Sequence, residues 1–105
     1  MALLDDTLNL LSNEYRRNIM YHMKEAEENN FTYDDITKAL VENNYVSEKQ
    51  ADRFQVQMSH VHLPKMEESG LVEQDEASGT VRYLPSEDVE NLLEDIKKYD
   101  EHSEF

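Results

Sequence analysis

The sequence predicts a mainly helical fold with one small β-hairpin, and three features of the chain lead to this prediction. Apolar residues recur every three or four positions in most segments, which is the spacing of a helix that buries one face. Only two glycines and two prolines interrupt the chain, all in its second half. The spacing changes to two around residues 71–84, where β-branched and aromatic residues alternate with polar ones.

The length of 105 residues, 38% of them hydrophobic, suits one domain and is too short for two. We expect that domain over residues 1–100, followed by a frayed tail over 101–105. The absence of cysteine excludes disulfides, thiolate metal sites and a cysteine nucleophile. No apolar stretch is long enough to span a membrane, and Met1 to Asp6 has no basic region before its apolar run. A cytoplasmic protein without a signal peptide is therefore expected.

The first half of the chain is predicted to form three helices. Their apolar rows place them over about 4–11, 13–26 and 33–42, with a loop over 27–30. Ser12 or Asn13 can cap the second helix and Thr32 the third, because these side-chain oxygens accept from the free amides of a helix start. Asn43 and Asn44 are expected to end the third helix.

A fourth helix is predicted over about 48–69. Ser47 and Gln50 fit a capping box, in which each side chain bonds the backbone amide of the other residue. Pro64 has no amide proton, so a helix that continues through it loses one hydrogen bond and is expected to bend. Gly70 can adopt the left-handed conformation that stops a helix.

A hairpin and a last helix complete the chain. Strands over about 71–75 and 80–84 flank a turn at 76–79, and an apolar row predicts a helix over about 87–99, capped by Ser86. Three long helices followed by a two-stranded hairpin is the element order of a winged helix-turn-helix domain, here with an added C-terminal helix.

The segment from His62 to Val72, His-Leu-Pro-Lys-Met-Glu-Glu-Ser-Gly-Leu-Val, resembles the end of the recognition helix in ArsR-type winged helix proteins. Leu11 to Ile19 resembles the first helix of the same group, so the likeness covers about residues 11–84. Residues 60–65, His-Val-His-Leu-Pro-Lys, are more similar to a group of small, largely uncharacterised winged helix proteins of halophilic archaea. The resemblance implies a homodimeric transcription regulator that binds DNA.

Three features depart from the ArsR-type pattern. The stretch from Asn43 to Phe54 is longer than the tight turn expected between the second and third helices of the motif. Ser59 occupies a position that is usually apolar. The predicted wing tip at 75–79 is acidic, whereas the wings of DNA-binding members usually carry bases.

The net charge of −14 sets 24 acids against 10 bases, and a charge of this size repels nucleic acid in ordinary buffer. In molar salt the Debye length falls to about 3 Å, so long-range repulsion nearly vanishes. The composition is therefore typical of a halophilic protein that works at high salt. The alternative is an acidic protein that binds basic partners or imitates nucleic acid.

The charge is distributed unevenly, and this distribution favours DNA binding. Residues 47–70 contain three bases and four acids, so this segment has a net charge of −1 and the other 81 residues carry −13. Glutamine and serine can hydrogen-bond base edges, and recognition helices read bases with their N-terminal halves. The candidates that face bases of double-stranded DNA, on the helix around residues 53–65, are Gln55, Gln57, Met58, His60 and Val61. The candidates that contact phosphate are Lys49, Arg53, Lys65, Arg82, Arg16 and Arg17.

Spare apolar surface predicts a second contact. Two apolar rows on the fourth helix are partly offset, so one helix would meet two apolar environments. The rows are Phe54, Met58 and Val61, and Val56, Leu63 and Met66. The residues expected in a dimer contact or in packing are Leu4, Leu8, Val89, Leu92, Leu93, Ile96 and Tyr99.

No catalytic or metal site is expected. His60 and His62 stand two apart on a helix and point in nearly opposite directions, so they cannot hold one metal ion together. Adjacent carboxylates such as Asp34 and Asp35 diverge as well, and no apolar pocket motif shields one of them for acid–base catalysis. The sequence has no glycine-rich phosphate loop and no nucleophile elbow. We therefore expect neither enzyme activity nor a cofactor.

Together these observations predict a transcription regulator that reads the major groove of DNA as a homodimer and is adapted to high salt. The alternative is an acidic winged helix module that binds a transcription or signalling protein and no DNA.

Overall fold

The computed structural model describes residues 4–102, and the side chains of residues 4–100. The chain is mainly helical with a small antiparallel sheet, which confirms the predicted class at this level. The helices are α1 (Leu4–Leu10), α2 (Glu14–Glu25), α3 (Tyr33–Glu42), α4 (Ala51–Gln57), α5 (Leu63–Glu68) and α6 (Glu87–His102). The strands are β1 (Asn30–Thr32), β2 (Val72–Asp75) and β3 (Thr80–Tyr83).

Side-chain caps begin three of the helices as predicted, and in the last of them the Ser86 hydroxyl accepts from the Val89 amide of α6 at 3.5 Å. Asn13 and Thr32 accept hydrogen bonds from the first free amides of α2 and α3.

The predicted capping box at Ser47 and Gln50 is wrong, because the Ser47 side chain makes no cap bond. The Ser47 carbonyl instead accepts from the Gln50 amide, and Glu48–Gln50 forms a tight 3-10 turn that leads into α4.

The sheet contains one strand more than the predicted hairpin. β1 pairs with β3, which also pairs with β2, so the strand order is β1-β3-β2. The loop predicted over 27–30 therefore ends one residue early. Phe31 is buried and lies opposite Val81, so both side chains pack the sheet against the core. A strand of three residues is too short for its alternation to be recognised in sequence.

The core draws one or more fully buried side chains from most elements of the fold. These side chains are Ile19, Met20, Met23, Ile36, Leu40, Met58, Leu63, Met66, Val72, Val81 and Leu93. Full burial of a side chain of this size stabilises the fold by about 1.5–3 kcal/mol relative to exposure. Because Phe54 of α4 joins this core together with side chains of α5 and of both strands of the hairpin, the core determines which way the fourth predicted helix faces.

A π turn over Met58–His62 joins α4 to α5, so residues 48–68 form one continuous helical segment, here called the composite helix. An α-helix advances about 100° per residue, so over twelve residues Met66 would stand about 120° round from Phe54. The π turn places an extra residue in one turn and takes up most of this offset.

Both ends of the composite helix therefore face the same core, and the expectation of two apolar environments is wrong. Phe54 and Met58 before the π turn and Leu63 and Met66 after it all belong to one buried cluster. Val56, by contrast, is 59% exposed. The backbone irregularity also precedes Pro64, at which the sequence predicted a bend.

The last helix is longer than predicted. α6 continues to His102 rather than ending near residue 99. Of the tail expected over 101–105, residues 103–105 lie outside the described residues. Across residues 4–102, none of the helices combines the length and apolarity needed to cross a bilayer.

Candidate nucleic-acid interface

One side of the composite helix is exposed along its whole length. Its side chains follow the three- and four-residue spacing of one helix face, offset from the buried row that ends at Met66. The side chains of this exposed stripe are Lys49, Arg53, Val56, Gln57, His60, Val61 and Lys65. The structure thus brings three bases, two neutral polar groups and two apolar groups together on one surface, and the exposed acids Asp52 and Glu68 stand beside them at the same spacing.

Two of the predicted base-facing residues do not belong to this stripe. Met58 is wrong as a candidate, because it is 0% exposed and packs in the core. Gln55 is half-buried and lies about 160° round the helix from Gln57, at about 100° per residue. Val56 is the residue that the sequence analysis missed, since its exposed methyl groups lie between Arg53 and His60 and can contact a thymine methyl.

Four of the predicted phosphate contacts are exposed and unpaired. Lys49, Arg53, Lys65 and Arg82 form no ion pair with any of the side chains at positions 4–100. Three of these bases stand on the exposed stripe, and the fourth lies on β3. Arg82 faces Glu73 directly across the β2–β3 pair, so part of its charge is offset there.

Arg16 is wrong as a phosphate contact, because it is buried and used by the fold. Only 7% of the residue is exposed. Its Nε donates to the Leu10 carbonyl at 2.6 Å and its Nη2 to the Asn9 carbonyl at 3.3 Å. These carbonyls end α1, where a positive charge is favoured by the helix dipole and by unsatisfied acceptors.

Arg17 is also held within the fold. Its Nε donates to Asp100 at 3.0 Å and its Nη1 to the Leu11 carbonyl at 2.8 Å, so it fastens α2 to α6. Lys24 with Glu94 and Lys97 with Glu25 are two further ion pairs between these helices. The bases of α2 and α6 are therefore engaged by acids or carbonyls, whereas those of the composite helix remain available.

His62 lies behind the exposed stripe and joins α2 to the π turn. The residue is 6% exposed, and the Arg16 Nη1 approaches its Nδ1 at 3.5 Å. Its ring also packs 6.0 Å from the Tyr15 ring, which stands 5.5 Å from that of Phe54. Burial, and then the positive charges of Arg16 and Lys65, lower the pKa of His62 below its ordinary value.

The lowered pKa of His62 predicts a loss of stability in acid. The unfolded chain takes up this proton near pH 6.5, whereas the folded chain takes it up only at lower pH. The contribution of neutral His62 is therefore complete above about pH 6.5 and is lost as the pH falls below that value. His62→Gln keeps an acceptor for Arg16 but cannot titrate, so it should lose less stability than the wild type between pH 7.5 and 5.5.

Urea unfolding at those two pH values and constant salt measures the difference. Equal losses in the wild type and in His62→Gln would show that His62 is not the group that titrates. The remaining acids and histidines are common to both proteins and cancel in the comparison.

The hairpin contacts the composite helix through its first strand. Gln74 of β2 donates from its Nε2 to the Ser59 carbonyl at 3.4 Å and accepts from the Tyr33 hydroxyl at 2.7 Å. Nothing in the sequence pattern singled out Gln74. The hairpin tip is exposed and includes Asp75 and Glu76, as the sequence predicted from its composition.

The two predicted histidines point to different environments, since His60 is exposed and His62 is buried. Nowhere in the described part of the chain do three or more His, Cys, Asp or Glu side chains gather as a metal site requires.

The terminal helices provide a second exposed apolar surface. Leu93 is wrong as a dimer contact, because it is 0% exposed within the chain's own core. Val89, Leu92 and Ile96 are half-buried against that core. Leu4, Leu8 and Tyr99 are 67%, 44% and 77% exposed. Leu4, Val89 and Leu92 line a cleft of about 420 Å³ between α1 and α6.

One family of proteins matches most of the chain. Its description is "Domain of unknown function (DUF7344)", and the match covers residues 8–82. These residues run from the last turn of α1 to the third residue of β3 and include the whole composite helix. Comparison with curated proteins and with solved structures gives no match.

Proposed function

The chain belongs to the DUF7344 family, and from its own geometry we propose that it is a winged helix-turn-helix protein that binds double-stranded DNA as a transcription regulator. The composite helix would be the recognition helix and the β2–β3 hairpin the wing. Two features of the fold support this assignment. The hairpin directly follows the composite helix in the chain, and β1 completes a three-stranded sheet beside it.

The observation that carries the proposal is that some bases are paired within the fold, whereas others are exposed and unpaired. The bases of α2 are consumed by carbonyls and by acids of α6. Lys49, Arg53 and Lys65 are left unpaired along one exposed face, within the described residues of a chain of net charge −14. Lys38 of α3 and Arg82 of β3 are also exposed and make no ion pair among the described residues, so three of five such bases share one helix face. This face is the surface best suited to approach nucleic acid.

The same face contains groups suited to reading bases. Gln57 can pair with adenine, and Val56 and Val61 can contact the thymine methyl group in the major groove. Arg53 stands four residues before Gln57, so it can reach a phosphate, or a guanine, while Gln57 enters the groove. The protein would bind through a few charged contacts and many neutral ones, in salt that screens its acidic remainder.

This balance of contacts predicts a shallow salt dependence. Each neutralised phosphate contributes about −0.9 to the slope of log affinity against log salt, so the four proposed contacts, Lys49, Arg53, Lys65 and Arg82, set a limit of about −3.6 per half-site. Fluorescence anisotropy of a labelled half-site duplex, from about 0.2 M salt upward, measures the slope. A slope steeper than about −5 would require six or more phosphate contacts and would contradict the proposed mechanism.

We further propose that the protein acts as a homodimer through α1 and α6. Leu4 and Leu8 on α1 and Tyr99 on α6 are the exposed apolar side chains that such a contact would cover. Two-fold symmetry would place the composite helices about one helical turn of DNA apart on a palindrome.

Leu8→Glu tests the dimer, because it places a charge in the proposed contact. Burial of one leucine contributes about 1.5–3 kcal/mol, so the dimer Kd should rise about tenfold or more. Tyr45→Glu is the matched control, since Tyr45 is 49% exposed and lies outside the terminal helices. Sedimentation at graded concentrations measures both, and an equal effect of the two substitutions would refute this interface.

The second candidate function is an acidic winged helix module that binds a protein and no DNA. The exposed acids of the hairpin tip, Asp75 and Glu76, favour it, because a wing usually approaches the DNA backbone. The exposed stripe weighs against it, since it is not uniformly negative. The module predicts a complex with a transcription or signalling protein and no DNA affinity at any salt concentration.

A further inference from the structure

The π turn leaves one backbone carbonyl of the composite helix without a helical donor. The Leu63 amide donates to the Met58 carbonyl, five residues back. The next residue, Pro64, has no amide proton to offer. The Ser59 carbonyl, which an α-helix would pair with Leu63 and a continued π register with Pro64, therefore receives neither bond.

Gln74 supplies the missing donor from the hairpin. Its Nε2 lies 3.4 Å from the Ser59 carbonyl oxygen, and its Oε1 accepts from the Tyr33 hydroxyl at 2.7 Å. Gln74 Nε2 also lies 3.5 Å from Glu76 Oε1. The Tyr33 hydroxyl fixes the orientation of the amide, because a hydroxyl that donates to the oxygen leaves the nitrogen turned toward Ser59.

The Tyr33 hydroxyl is kept protonated as a donor. Burial, and then the negative charges of Glu76, Asp75 and Glu67, raise its pKa above the ordinary value. The tyrosine is itself anchored, since its backbone amide donates to the Gly79 carbonyl at 2.9 Å. The start of α3, the hairpin and the π turn are thus joined by one chain of hydrogen bonds.

The same segment has an alternative register. If Leu63 bonded to Ser59 in an ordinary α turn, Pro64 would leave the His60 carbonyl without a donor instead. Because Pro64 has no amide proton, one carbonyl lacks its backbone donor in either register. The two registers therefore compete. In the described part of the chain, a side-chain donor reaches the Ser59 carbonyl and none reaches that of His60.

We propose that Gln74 is a positioning residue that stabilises the π register, in which the buried cluster also packs, and thereby helps to hold His60 and Val61 on the exposed stripe. A change of one residue in register rotates one half of the helix against the other by about 100°. His60 and Val61 lie within the turn and would be the first to leave the stripe. This inference rests on the proposed DNA-binding function for its consequence, but the register itself can be measured without DNA.

The test compares Gln74→Met with Glu73→Met. Both substitutions introduce the same side chain into β2, but only the first removes the donor, because Glu73 is exposed and lies opposite Arg82. NMR of the full chain at high salt gives the carbonyl shift of Ser59 and the exchange rate of the Leu63 amide. Selection from a random duplex library gives the preferred DNA sequence of each protein.

In Gln74→Met we expect the Ser59 carbonyl to shift and the Leu63 amide to exchange about tenfold faster, with α2 and α6 unchanged. The selected sequence should change at the base pairs that His60→Ala and Val61→Ala also alter. Unchanged signals over residues 58–63 would overturn the inference. A uniform loss of affinity on all sequences, equal to that of Glu73→Met, would overturn it as well.

The two proposals fail separately. If the wild type selects no DNA sequence while the Ser59 and Leu63 signals respond to Gln74→Met, the DNA-binding function fails and the control of the register by Gln74 stands. If the wild type selects a sequence that Gln74→Met leaves unchanged, DNA binding stands and the positioning role fails.

Discussion

Met58→Ala is expected to lower the free energy of unfolding by about 2–5 kcal/mol. Met58 is 0% exposed and lies at the start of the π turn, where it packs in the same cluster as Phe54 and Leu63. Truncation removes its transfer free energy and leaves a cavity that the surrounding helices can only partly close. Urea or thermal unfolding at fixed salt measures the loss.

Val56→Ala is the matched control, two residues earlier on the same helix. Because Val56 is 59% exposed, its truncation should change stability by no more than about 0.5 kcal/mol. The pair tests which side of the composite helix faces the core. Comparable losses for the two substitutions, or a larger loss for Val56→Ala, would mean that the exposed stripe is wrongly placed.

Arg53→Glu is expected to weaken DNA binding by about 10- to 100-fold, which corresponds to the loss of one hydrogen-bonded charge contact of about 1.5–3 kcal/mol. Arg53 is exposed near the start of the exposed stripe and has no ion-pair partner among residues 4–100. It contributes no buried surface to the core, so stability should be nearly unchanged. Anisotropy titration of a selected duplex measures the affinity.

Lys98→Glu controls for the change in net charge. It introduces the same charge reversal on α6, where the Lys98 side chain is 72% exposed and makes only a surface contact with Asp95 at 3.7 Å. A loss confined to Arg53→Glu assigns the effect to the composite helix. Equal losses in the two variants would indicate general repulsion rather than a contact at Arg53.

Periodicity predicted the helical class of the chain because most helices here bury a regular row of apolar residues. It also placed the two strands of the hairpin, where Val81 and Tyr83 alternate with exposed Arg82. Local chemistry predicted the caps at Asn13 and Thr32 and the end of α5 at Gly70, which has a φ of +76°. These features depend on neighbours within a few residues, so the sequence contains them.

The orientation of the composite helix could not be predicted, because it depends on the π turn. A regular α-helix puts Val56 near the row of Leu63 and Met66, which is how the sequence led to two apolar faces. The π turn forms where a regular α-helix could not both pack its two halves against the same core and pair every carbonyl, because Pro64 has no amide proton. Gln74, whose side chain donates to the Ser59 carbonyl within this turn, lies 15 residues further along the chain. No local sequence pattern connects the two residues.

The separate roles of Arg16 and Arg17 in the fold could not be predicted from the sequence either. Arg16 and Arg17 are adjacent, and their charges suggested contact with phosphate. In the fold the first meets the carbonyls that end α1, and the second meets Asp100, which is 83 residues away in the chain. The end of α1 engages Arg16 and the packing of α6 on α2 engages Arg17, and the sequence pattern shows neither contact.

The central claim is that the exposed stripe of the composite helix reads DNA. The most direct measurement is selection of wild-type protein, Arg53→Glu and Gln57→Ala against a random duplex library, from about 0.2 M salt to the multimolar range in which repulsion is screened. We predict that the wild type enriches a palindromic sequence, that Arg53→Glu loses the enrichment, and that Gln57→Ala alters it at one position in each half-site. Folded wild-type protein that enriches no sequence at any salt concentration would contradict the claim and favour the acidic protein-binding module.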